Sequence, residues 1–238
     1  MREIPKPTIH QLKVSLTGSN PLIWRRVEVL SQMTLPQLHL ALQIAMGWEN
    51  CHLHEFRIAD KIYGEPDPGD DHFGRVSLDE RRVQFSKLPA SVGSSFEYVY
   101  DFGDNWHHDI LIESIALAVP RKRYPVCLAG KESAPPEDVG GIFGYARYLE
   151  ALFNPRHENH QDMLAWRGWF DPERFSVTRV NKALREAFPV RARSADKLPV
   201  VSLPENSDSS ARFAEDLDLI LRTAIRHGRL PPQKMIRG

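Results

Sequence analysis

The stretch YVYDFGDNWHHDI, residues 98–110, decides how the chain is read. Aromatic and β-branched residues alternate with polar ones on both sides of Gly103-Asp104-Asn105, so strand chemistry is interrupted by turn chemistry. Phe96, Tyr98, Tyr100 and Phe102 share one face of the first strand, and Trp106, His108, Ile110 and Ile112 share one face of the second. A three-residue loop at Gly103-Asp104-Asn105 sets the two rows opposite each other as one largely aromatic face. Glu97, Asp101, His107, Asp109 and Glu113 then lie behind it, with Asp101 opposite His107. A two-residue loop at Asp104-Asn105 sets Asp101 opposite His108 instead. Burial of one face favours the first register. Turn chemistry favours the second, because three-residue loops prefer glycine last and here it comes first. Both registers put a carboxylate against an imidazole, an arrangement that serves acid–base chemistry, metal binding or a plain cross-strand pair.

Working outward, Thr8–Gly18 and Leu22–Leu30 alternate and are separated by Gly18-Ser19-Asn20-Pro21, which reads as a hairpin. The period then changes. Leu35, Leu38, Leu42 and Ala45 follow helical spacing, with Thr34 as cap, Pro36 in the first turn and Gly47 as the stop. The segment from Cys51 returns to strand character, with a turn at Asp60-Lys61 before Ile62-Tyr63. Residues 65–79 are rich in Pro, Asp and Gly and read as a long loop, followed by a short strand around Val83–Phe85. The fold class is therefore α+β: a mixed or antiparallel sheet with a ββαβ start, reminiscent of a β-grasp, packed by an early helix. Helices follow. Tyr145, Tyr148, Leu149 and Leu152 mark one that ends at Asn154-Pro155. Val177, Val180, Leu184 and Phe188 mark another, capped by Ser176.

The chain has 238 residues, 42% hydrophobic and 26% charged, with a formal net charge of zero. That suits one sizeable domain and argues against a dedicated nucleic-acid binder. The expected organisation is an α+β domain over 1–188, a Pro/Ser-containing linker over 189–210 and an amphipathic helix over 211–230. The helix carries Phe213, Leu217, Ile220, Leu221 and Ala224 on one stripe, suited to a protein partner or self-association. Two cysteines, Cys51 and Cys127, imply neither a disulfide framework nor a thiolate zinc site. With no apolar leader and no membrane-length apolar run, a cytoplasmic location is expected.

Candidate chemistry gathers around the hairpin. His52 and His54 are two apart, and a divalent metal shared with Asp101 and His108 is one reading; solvent-facing or core histidines are the other. Asp101, Asp104, His107 and His108, together with Glu137 and Asp138 of the Pro135-Pro136-Glu137-Asp138 loop, form the candidate polar site. The paired acids suit a cation, or the entry of the helix that follows.

Five segments in this order, PLIWRRVEV, TLPQLHLALQIAMGWENCHLHEFRI, YVYDFGDNWHHDI, PPEDVGGIFGY and FDPERFSVTRVNKAL, resemble the plasmid pRiA4b ORF-3-like family, also labelled transposon-passenger TnpR-like proteins. The resemblance covers about residues 5–188. It implies an α+β fold, a plasmid or mobile-element association and no established activity. The chain departs from the family pattern at His107, where glutamate is usual, and at Ala134 and Val139, where cysteines often fall. If the family's cysteines bind a metal, this chain binds it differently. Neither a serine-recombinase pattern nor a helix-turn-helix with a basic recognition helix is evident. Three functions are expected: a binding or adaptor module, a metal-dependent hydrolase or nuclease built on the His/Asp cluster, or a DNA-associated accessory protein. The last draws on Arg121-Lys122-Arg123 and Arg191 to Arg193.

Overall fold

A computed structural model of the chain describes residues 7–65 and 77–189. The linker from 190 onward, the 211–230 helix and most of the 65–79 loop lie outside the described residues. Contacts group the described chain into two units, one made of residues 7–65, 77–147 and 172–189, the other of residues 148–171.

In the first unit the elements run β1 (Thr8–Leu16), β2 (Trp24–Leu30), α1 (Leu35–Met46), β3 (His54–Ile58), β4 (Lys61–Gly64), β5 (Ser77–Asp79), β6 (Ser95–Tyr100), β7 (Trp106–Leu117) and β8 (Val126–Lys131). After these come the start of α2 (Gly141–Phe153) and, later in the chain, α4 (Val177–Ala187). The strands form one mixed sheet in the order β5-β4-β3-β6-β7-β1-β2-β8. Every neighbouring pair is antiparallel except β4 and β5 at the edge. The ββαβ start and the antiparallel character are as the sequence reads, and β1 lies between β2 and β7.

α1 covers one face. Thr34 N–H donates to Gln37 Oε1 across its first turn at 2.9 Å, and Gly47 ends it with a left-handed φ of 88°. Its Gln43 and His39 side chains meet the Tyr98 hydroxyl at 2.9 and 2.7 Å, and its Ala45 carbonyl accepts from Arg25 Nε at 2.8 Å. Beneath it Leu12, Val14, Val27, Phe56, Tyr98, Tyr100, Trp106, His108 and Ile110 are fully buried. Each large apolar side chain contributes about 2–3 kcal/mol by leaving water. The opposite face is a ladder of ion pairs: Arg57 with Glu55 and Glu97, Glu97 with His107, and Arg26 with Glu113.

The register of the β6–β7 hairpin differs from both expected ones. Tyr100 lies opposite Trp106, Val99 opposite His107 and Tyr98 opposite His108. Neither imidazole therefore faces Asp101 across the ladder. Asp101 takes a left-handed φ of 58°, and its Oδ1 accepts the Gly103 and Asp104 N–H groups at 2.9 and 3.3 Å. This side-chain turn ends β6 at Tyr100, two residues before Phe102, which sits in the loop and is 52% exposed instead of joining the aromatic face. Relative to the three-residue-loop register the shift is by two residues, so every other side chain keeps its expected face. Around Val83–Phe85 a single bridge between Gln84 and Thr34 and two 3-10 turns, Glu80–Arg82 and Phe85–Lys87, stand where a strand was expected. β8 was not anticipated.

The second unit holds the rest of α2 and α3 (His160–Arg167). Tyr148 meets Trp166 and Phe170 edge-on at 5.8 and 5.9 Å, and Phe153 meets Trp169 at 5.1 Å. No helix among the described residues is long and apolar enough to cross a membrane.

Candidate functional site

Three loops meet at one end of the sheet: residues 47–53 between α1 and β3, residues 101–105 at the hairpin tip, and residues 133–140 before α2. Specific hydrogen bonds tie them together. Trp48 Nε1 donates to the Pro135 carbonyl at 2.9 Å, and its ring stacks on Tyr100 at 5.1 Å. Glu49 N–H donates to Glu137 Oε1 at 2.8 Å. Asp101 N–H donates to the Leu53 carbonyl at 2.9 Å, and Gly140 N–H to Asp104 Oδ2 at 3.0 Å. Gly141, at φ 67°, lets the third loop pass the hairpin tip so closely that a Cβ there would lie 2.5 Å from the Asp104 carbonyl oxygen.

His52 projects into this junction. Its Nε2 lies 3.1 Å from Asp138 Oδ1, 3.6 Å from Asp101 Oδ2 and 3.9 Å from Glu137 Oε2. Nε2 is shielded from solvent, yet it makes no hydrogen bond to any of the three carboxylates. The ring packs edge-on against Tyr100 at 5.8 Å. Glu137 is buried, and burial pushes its carboxyl above the ordinary range, against the hydrogen bonds from Glu49 N–H and Tyr100 and the neighbouring His52. The Tyr100 hydroxyl donates to Glu137 Oε1 at 3.1 Å and accepts from Cys51 N–H at 3.1 Å. Two overlapping donor sets share His52, one with Cys51 and Glu137, the other with Asp101 and Asp138; in each, the donor atoms lie within 4.8 Å of one another. Of these residues Cys51 and Asp138 are exposed, the Asp138 side chain by 63%. Leu53, Phe102 and Phe143 follow site residues closely in the chain and are 54%, 52% and 84% exposed.

The structure divides the expected residues. His52, Asp101, Glu137 and Asp138 come together. Asp104 braces the 133–140 loop and is not among the donors around His52. His54 does not share a ligand with His52: its Nε2 donates to Glu80 at 3.1 Å, and its ring stacks on His39 with centroids 3.5 Å apart. His108 is fully buried, with Nδ1 at 3.2 Å from the Tyr98 carbonyl, and burial lowers its pKa to about 4. A strand position on the aromatic face sends that imidazole into the core, so it drops out of the metal set. His107 points to the outer face, 2.5 Å from Glu97 Oε1. Cys51, Glu49 and Tyr100 were not anticipated as site residues. The signal for the first two was three donor side chains, Glu49, Cys51 and His52, within four positions between the helix stop at Gly47 and β3.

Residues 8–179 match the family described as plasmid pRiA4b ORF-3-like protein. The chain is 40% identical over 191 residues to an uncharacterized protein, y4hQ, of Sinorhizobium fredii (strain NBRC 101917 / NGR234), covering 79% of this chain and 96% of that one. It is also similar to the crystal structure of a protein of unknown function, MM3350 from Methanosarcina mazei Go1. The TM-score is 0.66 at 34% identity, over 76% of this chain and 99% of that one. The family match runs from β1 into the first turn of α4 and takes in all three loops of the site, and on it the chain belongs to the plasmid pRiA4b ORF-3-like family.

Proposed function

We propose that the chain is a binding module that takes a cationic ligand at the junction of its three loops. One observation carries this reading. The loops 47–53, 101–105 and 133–140 hold five carboxylates, Glu49, Asp101, Asp104, Glu137 and Asp138, with one histidine and no Lys or Arg. Such a concentration of one sign, partly withdrawn from water, is stabilised by a bound positive charge and repels phosphate. The reading keeps the binding class expected from the sequence but replaces the expected protein partner with a cation, at the acidic cluster first considered for a metal. The 211–230 helix that first suggested a partner lies outside the described residues. A nucleic-acid role has less support: within Arg121-Lys122-Arg123, Lys122 is already paired with Glu28, and Arg191 to Arg193 lie outside the described residues.

The test is thermal unfolding of the full chain with a panel of cations (Zn²⁺, Mn²⁺, Mg²⁺, spermidine) and of anions (phosphate, a short DNA duplex). A ligand at 100 times its Kd adds about 2.7 kcal/mol to the folded state. The reading expects stabilisation by at least one cation and by no anion, diminished in Asp138→Asn. Stabilisation by DNA alone would contradict it.

A further inference from the structure

We infer that the cation is a divalent transition-metal ion of the Zn²⁺ type, held by His52 Nε2, Asp101 Oδ2 and Asp138 Oδ1, with Cys51 and Glu137 bordering the same position. This rests on the cation-binding reading and names its ligand class. Three observations beyond the charge count carry it. The first is spacing. Zinc holds nitrogen and oxygen donors at about 2.0–2.2 Å, which puts tetrahedral neighbours about 3.4 Å apart. The separations from His52 Nε2, 3.1 Å to Asp138 Oδ1, 3.6 Å to Asp101 Oδ2 and 3.9 Å to Glu137 Oε2, bracket that value.

The second is donor chemistry. Mg²⁺ and Ca²⁺ take oxygen donors almost alone, whereas imidazole and thiolate select Zn²⁺, Co²⁺ and their neighbours. A purely electrostatic site for an organic cation has no use for an imidazole pointed into it. The third is the state of His52 itself. Its Nε2 is out of contact with solvent, has carboxylate oxygens on three sides and hydrogen bonds to none of them. That costs free energy for an imidazole N–H, and a metal ion among these oxygens would give the nitrogen lone pair the partner it lacks. The other histidine cluster has no such vacancy of bonding. His39 is engaged at both nitrogens, by Tyr98 at 2.7 Å and Asn50 at 2.5 Å, and His54 Nε2 is taken by Glu80. The exposure of Asp138 leaves the position open to ions from solvent.

The experiment is calorimetric titration of the metal-free full chain with Zn²⁺, Mg²⁺ and spermidine, together with the visible spectrum after adding Co²⁺. One Zn²⁺ per chain is expected, bound at least about 100-fold more tightly than Mg²⁺, with a Co²⁺ spectrum of mixed nitrogen and oxygen ligation. His52→Ala and Asp138→Asn are each expected to weaken Zn²⁺ by more than the roughly 10–100-fold that a change beyond the direct ligands costs. His107→Ala, on the opposite sheet face, is expected to leave it unchanged. Because Asp138 is exposed, its variant keeps the test independent of folding. Spermidine or Mg²⁺ binding as tightly as Zn²⁺, with His52→Ala unaffected, overturns the metal inference and leaves the cation-binding reading intact. No binding of any cation overturns both.

Discussion

The Tyr100 hydroxyl donates to Glu137 Oε1 across 3.1 Å and so joins the last residue of β6 to a loop 37 positions away in the chain. With the Glu49 N–H it makes a buried carboxylate tolerable. Tyr100→Phe keeps the ring stacked on Trp48 and removes the donor. It is expected to cost about 1.5–3 kcal/mol, the range for a hydrogen bond to a charged group, read as a lower urea midpoint at unchanged m-value.

Acid should destabilise the fold before most carboxylates titrate. Burial, with His54 close by, lowers the His39 pKa to about 3, and burial lowers that of His108 to about 4. Both folded values lie below the ordinary histidine value of about 6.5. As pH falls below that value the unfolded chain takes up protons that the folded chain refuses. The stability these groups contribute is full above about pH 6.5 and is lost as pH drops toward 4. Each group adds a slope of up to about 1.4 kcal/mol per pH unit. Urea unfolding at several pH values from 7.5 to 4.5 should show the decline, and His108→Phe should make it shallower.

Arg25 is a buried cation satisfied by carbonyls. Its Nε donates to Ala45, its Nη1 to Trp24 and Lys131, all at 2.8 Å, and the guanidinium sits 4.1 Å from the centre of the Phe175 ring. Arg25→Ala strands these acceptors and should cost about 3 kcal/mol or more. Arg25→Lys should recover only part of that, because an ammonium lacks the planar fork that reaches three carbonyls and stacks. Both are checked by chemical denaturation.

Gly141→Ala tests whether the three loops act as one site. The added Cβ would meet the Asp104 carbonyl oxygen at 2.5 Å, and the left-handed φ of 67° disfavours any side chain. Destabilisation of about 1–3 kcal/mol is expected. Faster amide exchange should be confined to 101–105 and 133–140, with weaker cation binding. Unchanged exchange in the 101–105 loop would mean that the two loops are not coupled.

Much of the first unit was legible in the sequence, for reasons that can be stated residue by residue. The alternation of Leu12, Val14 and Leu16 against Val27 and Val29, the helical spacing of Leu35, Leu38 and Leu42, and the aromatic row from Phe96 to Ile110 are local patterns with one physical explanation each. β8 escaped because VCLAGK offers Ala and Gly where strands usually show branched residues, and its pairing with β2 is non-local. The hairpin register escaped because a single aspartate side chain, Asp101, captured backbone N–H groups that a regular ladder would have used. The site was half visible. Residue type marked His52, Asp101, Glu137 and Asp138 as chemical. No local pattern says that His54 turns toward Glu80 or that His108 is part of the core, since those outcomes depend on α1 packing over the sheet.

The most direct test of the account is anomalous diffraction from crystals of the full chain grown with Zn²⁺. The account predicts one strong peak about 2.0–2.2 Å from His52 Nε2, with carboxylate oxygens of Asp101 and Asp138 completing its near neighbours. A peak at His54 and Glu80 instead, or none at the three-loop junction, would contradict it.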